Sequence, residues 1–153
     1  MTIYREMGFD NVSEHPQGAV LYALARTFTF LHKRLTPYYA KYGLDAVKVN
    51  ALMIIKHIGK DEGIPQRELA DRLILSEGNI TQMIKWLEKK GLVSRHGTKD
   101  RRFKLLQITT KGAKLLDDLW PGHRQLAEAL VTLTEQERHT LLRLLAKLRG
   151  VTA

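Results

Sequence analysis

A mainly α-helical chain with one small β-hairpin is the fold class the sequence predicts, and three observations predict it. Apolar residues recur at three- and four-residue spacing over most of the 153 residues, the period of a helix with one buried face. After Gly91 that period gives way to two short β-rich runs joined by a polar tip. The same middle third is strongly basic. Residues 64–114 hold 12 Lys+Arg against 5 Asp+Glu, a net +7 of the chain's total +9, while residues 1–63 and 115–153 carry net charges of +2 and zero.

Residues 1–17 read as irregular, with Gly8 and Pro16 as breakers ahead of Gly18. From about Ala19 to Tyr42, the spacing of Leu21, Leu24, Ala25, Phe28, Leu31 and Leu35 predicts a long amphipathic helix, which Pro37 should kink or shorten. Gly43 breaks it. Val47, Leu52, Ile54, Ile55 and Ile58 then predict a second helix ending at Gly59, followed by a turn at Lys60–Gly63. Pro65 suits the first position of a short helix carrying Leu69, Ala70 and Leu73. Ser76 suits the N-cap of another that runs to Lys90 and stops at Gly91. Leu92–His96 and Phe103–Ile108 are the two strands of the hairpin, with residues 97–102 between them. Thr109 caps a helix through Leu130 with a bend expected at Pro121-Gly122, and Thr134 with Glu137 forms a capping box for a last helix to Arg149.

With 44% hydrophobic and 27% charged residues the composition is globular, and the length suits a single domain over residues 1–153. No run approaches the roughly 20 apolar residues of a membrane helix, and the N-terminus lacks the order of a signal peptide. The absence of cysteine excludes disulfides, thiolate metal sites and thiol redox sensing. The six histidines show neither HExxH nor paired spacing, and no nucleophile elbow or phosphate-cradling glycine loop is present. The expectation is a cytoplasmic protein with no membrane association, no cofactor, no metal and no catalytic residues.

Two short helices joined by a tight turn and followed by a basic hairpin make a winged helix-turn-helix. On a helical wheel Ile80, Ile84 and Leu87, with Met83 beside them, form the inward face of the second short helix, leaving Gly78, Thr81, Gln82, Lys85 and Lys89 opposite. An exposed helix face of this width suits the major groove of double-stranded DNA. Gln82 can pair with adenine and Lys85 with guanine, Asn79 near the helix start can contact base or phosphate, Ser76 and Thr81 join the same DNA-binding set, and Lys89 suits phosphate. Lys99, Arg101 and Arg102 at the hairpin tip, with Arg95 on the incoming strand, suit a narrow minor groove, and Asp100 can hold the Arg102 guanidinium in a fixed orientation. A focused basic field of this kind points to a polyanion.

These residues resemble the MarR family of bacterial transcription regulators. The matching runs are Gln66–Leu73, Ser76–Thr81, Leu87–Val93, the Lys99-Asp100-Arg101-Arg102 tip, Ile108-Thr109-Thr110-Lys111-Gly112, and Tyr42-Gly43-Leu44, so the resemblance spans about residues 19–149. It implies a homodimer on a pseudo-palindromic operator, a repressor relieved by a small molecule, and an Asp100 that aims Arg102 at the minor groove. Pro65, Ile74 and Ile108 depart from it, standing where the family often has threonine, glycine and leucine.

The family's division places a DNA-binding lobe at about 46–110 and dimerisation helices at about 19–42 and 110–149. The leucines at 141, 142, 144, 145 and 148 support this, since a small winged helix cannot cover them alone and two chains can. The resemblance puts an effector pocket between these parts. Tyr38, Tyr39, Tyr42, His57, Trp120 and His123 lie near that junction and suit a small aromatic or phenolic acid, although each also suits a core or interface position with a polar tip, and none is singled out. The alternative function is a non-specific architectural DNA-binding protein.

Overall fold

The computed structural model describes residues 3–9, 15–97 and 104–151. The chain divides into two compact units, residues 1–121 and 122–153.

The first unit opens with a short helix, α1 (Ile3–Glu6), where the sequence reads as irregular. Tyr4 explains it: the side chain is buried, its ring meets Tyr22 edge-on at 5.9 Å, and its hydroxyl donates to the His15 carbonyl at 2.9 Å. One turn is too short to show a period, so only this packing could reveal it. The long helix α2 (Pro16–Ala40) starts earlier than its apolar period suggests, because Pro16 fits the first turn and the His15 ring accepts from the Gly18 N–H at 3.0 Å. It runs through Pro37 to Ala40 without being divided.

Asp45 caps α3 (Ala46–Ile54), accepting from the Lys48 N–H at 2.9 Å, and the helix continues as a π turn over Ile55–Gly59. Gly63 then crosses the sheet with φ 85; a Cβ there would lie 2.9 Å from the Leu105 Cβ. The crossing leads into a strand absent from the sequence reading, β1 (Ile64–Pro65). Pro65 therefore is not the first residue of the next helix but its extended N-cap, at ψ 142. A proline can close a sheet edge in this way because it needs no ladder partner for an N–H. Next come α4 (Gln66–Leu73), α5 (Glu77–Lys89), β2 (Val93–Gly97) and β3 (Lys104–Ile108). The sheet order is β1-β3-β2, antiparallel, with Ile64 and Arg95 both opposite Leu106. The predicted hairpin is present with the register Val93 to Ile108 through Gly97 to Lys104; residues 98–103 lie outside the described set.

The core sits beneath the helix-turn-helix and the sheet. Leu52, Ile55, Ile64, Leu69, Ile80, Ile84, Leu87, Leu106, Leu116 and Leu119 are almost wholly buried, and no polar or charged side chain is buried among the described residues. Leu116 and Leu119 come from α6 (Thr110–Leu130), which Thr109 caps through its hydroxyl, accepting from the Gly112 N–H at 3.0 Å. The helix passes through Pro121. Just ahead of that proline, the Tyr38 and Tyr42 hydroxyls donate to the carbonyls of Leu119 and Asp118. They bind the end of α2 and the turn after it to α6, beside the carbonyl that Pro121 leaves without its usual N–H donor.

In the second unit α7 (Glu135–Leu148) carries the predicted capping box, with Thr134 and Glu137 bonding each other's main chain. None of its residues is buried: Leu141, Leu142, Leu144 and Leu148 are 44%, 64%, 49% and 55% exposed.

Candidate nucleic-acid interface

The sequence of α5 divides its surface sharply. Ile80, Met83, Ile84 and Leu87 recur at helical spacing and are buried, which fixes the helix against the core. Asn79, Gln82, Lys85 and Lys89 stand exposed on the opposite side, with Gly78 leaving room near the start. Ser76 caps the helix, its hydroxyl accepting from the Asn79 N–H at 3.4 Å. Thr81 lies apart from this free set. It is half-buried, and its hydroxyl accepts a bond from Gln66 Nε2 at 2.9 Å, a tie between α4 and α5 invisible to a wheel drawn for one helix.

Asn79, Gln82 and Lys85 line one side of an open groove of about 690 Å³ whose other side is the start of α3, with Val47 and Lys48. Trp86 lies in it, half-buried, with the Lys48 and Lys90 ammonium groups 5.0 and 5.6 Å from its ring. Lys48 also pairs with Asp45. Burial alone would raise the Asp45 carboxyl, but the bonds from the Lys48 side chain and N–H, together with its charge, hold it below the usual aspartate range. Lys48 and Trp86 escape the sequence reading because their meeting joins two helices far apart along the chain.

Three carbonyls at the end of α5 are taken up by the start of α6. Lys111 Nζ donates to the Lys90 carbonyl at 2.9 Å, the Thr109 hydroxyl to Gly91 at 2.7 Å, and the Thr109 N–H to Leu92 at 3.1 Å. Gly91, at φ 69, makes the turn that brings them there. Arg95, expected to face DNA, is paired with Glu88 at 3.0 Å, and both side chains are about 30% exposed. The pair clamps β2 to the last turns of α5. Lys99, Asp100, Arg101 and Arg102 lie outside the described residues.

The six residues near the expected effector site differ in burial, Trp120 and His123 being half-buried. Tyr38 and Tyr42 spend their hydroxyls on α6, Tyr39 is buried, which raises its phenol pKa, and His57 is exposed. Among the described residues no group of three or more His, Cys, Asp or Glu side chains gathers as a metal site would require, and no helix is long and apolar enough to cross a membrane.

Two packed helices, the second bare and basic on one face, beside a three-stranded antiparallel sheet define a winged helix-turn-helix protein. Residues 50–94 match the family described as winged helix-turn-helix DNA-binding. The HTH-type transcriptional regulator MhqR of Bacillus subtilis (strain 168) is 31% identical over 116 residues, which cover 74% of this chain and 78% of MhqR. The chain belongs to the MarR family of transcription regulators. Two solved structures share its fold. CouR from Rhodococcus jostii RHA1, bound to p-coumaroyl-CoA, matches with a TM-score of 0.79 and 21% identity over 92% of this chain and 99% of CouR. A mutant MarR from E. coli complexed with operator DNA matches with a TM-score of 0.74 and 24% identity over 97% of this chain and 99% of that one. The relatives are transcription regulators, not enzymes.

Proposed function

We propose that this regulator is a homodimeric, sequence-specific repressor that acts in the cytoplasm on a pseudo-palindromic operator in double-stranded DNA. The exposed face of α5 carries this reading: Asn79, Gln82, Lys85 and Lys89 are held bare on a helix whose other side is locked into the core. Gln82 and Lys85 have the donors and acceptors to read base edges, and Lys89 suits phosphate. Lys99, Arg101 and Arg102 enter the adjacent minor groove, with Asp100 orienting Arg102.

The lobe at about 46–110 meets DNA, and the helices at about 19–42 and 110–149 pair with a second copy. Exposed Leu142 and Leu144 on α7, and Leu21 and Phe28 on α2 at 64% and 69% exposure, support that pairing. Two recognition helices then stand about one DNA turn apart, roughly 34 Å.

Release by a small aromatic or phenolic effector completes the proposal. It draws support from CouR, which is bound to p-coumaroyl-CoA. Such a ligand must prefer the arrangement of the dimer that cannot bind DNA. Fluorescence anisotropy against DNA from upstream of the protein's own gene, beside a scrambled duplex of equal length, tests the reading. Tight binding to the upstream duplex alone, lost on adding phenolic compounds, is expected; equal binding to both duplexes favours an architectural role instead.

A further inference from the structure

We propose that Ile74 is a specificity-determining residue that packs against the 5-methyl group of a thymine at the edge of each half-site. The inference rests on the reading of the chain as a sequence-specific DNA binder and adds a contact outside the face of α5.

Ile74 ends α4 in the left-handed region, at φ 54 and ψ 46. A β-branched side chain fits that region worst, whereas glycine or asparagine would close the same turn without strain. It is also 82% exposed, the highest value among the exposed large hydrophobic side chains described. Strain and apolar exposure at one position serve neither the turn nor the core, and such outliers gather where a contact is made with another molecule.

Its position says which molecule. Ile74 stands two residues before Ser76, within about 7 Å along the chain. Its neighbour Leu75 lines the same groove as Asn79, Gln82 and Lys85. The turn therefore approaches DNA together with the start of α5. Asp71, Arg72, Ser76 and Glu77 are exposed along the same stretch and Leu73 and Leu75 are half-buried, so over residues 71–79 Ile74 is the one large apolar side chain that is exposed. An apolar protein surface would find little to cover there. The thymine methyl, the one apolar group on the floor of the major groove, matches it in size and isolation.

The probe is a duplex selected by the full-length protein from a random-sequence library, with each thymine replaced in turn by deoxyuridine, which removes only the methyl. The wild type is expected to lose about fourfold in affinity per half-site at one symmetric thymine position. Ile74→Gly should bind the thymine and deoxyuridine duplexes equally, while unfolding at a higher denaturant concentration than the wild type, which separates a lost contact from misfolding. Ile74→Asn, also at ease in the left-handed region, should behave alike toward the two duplexes. A wild type indifferent to every replacement, or an Ile74→Gly protein that keeps the methyl preference, overturns the inference and leaves specific DNA binding standing. Enrichment of no sequence overturns both.

Discussion

Gly112, in the first turn of α6, lies so close to the main chain of Leu92 that a Cβ added to it would stand 2.2 Å from the Leu92 carbonyl oxygen. Leu92 lies three residues past the end of α5, so this contact sets how closely α6 approaches the end of that helix. Gly112→Ala is a sharp test. In an unhindered helix interior the change would gain up to about 1 kcal/mol. Here the obstacle is backbone, not the tip of a flexible side chain, and the two segments must part. The expected outcome is a loss of about 2–3 kcal/mol, read as a lower urea midpoint.

Asp45 gives a pH dependence with a definite sign. Its carboxyl is held below the usual aspartate range in the folded chain, so its contribution is present above the unfolded value of about 3.9 and is lost as pH falls through the folded one. Asp45→Ala should cost about 1 kcal/mol at neutral pH through the lost cap. Asn caps a helix equally well without titrating. The stability difference between the wild type and Asp45→Asn should therefore shrink on acidification, and a difference constant across urea melts from pH 7 to about pH 2.5 would contradict the assignment.

On α5, Gln82 and Lys89 share the exposed face but should fail differently. Gln82→Ala should relax base preference at one operator position by about 1–3 kcal/mol, whereas Lys89→Ala should weaken all sequences alike. If each protomer neutralises about four phosphates, log affinity for the dimer falls against log salt with a slope of about −7, and Lys89→Ala should make that slope shallower. Anisotropy titrations at several salt concentrations read both effects, and a wild-type slope near zero would remove the electrostatic basis of the interface.

At the hairpin tip, Arg102→Ala should weaken operator binding strongly while sedimentation still shows a dimer. If Asp100 orients Arg102 as proposed, Asp100→Ala should weaken it less. Tighter binding by Asp100→Ala would mean that the carboxylate only repels phosphate and orients nothing.

What was legible in the sequence is what depends on neighbours along the chain. The buried face of α5 follows from the spacing of Ile80, Ile84 and Leu87, the capping box from Thr134 and Glu137 three residues apart, and the stop after Lys89 from Gly91. The exposed Gln82, Lys85 and Lys89 follow by the same rule, because a helix that buries one face must bare the other.

The tertiary structure decided what depends on contacts between different elements. The strand Ile64–Pro65 exists only because Leu105 and Leu106 supply its partner, some 40 residues on. Thr81 is withdrawn from the free face by Gln66, Arg95 is tied to Glu88, and Tyr38 is spent on the Leu119 carbonyl. Each of these pairings joins polar or backbone groups whose partners are chosen by packing of the apolar core, and no periodicity encodes that choice. Even at Ile74 the sequence shows only an unexpected residue type; the left-handed backbone that strains it and the exposure that leaves it bare arise from how α4 and α5 pack together.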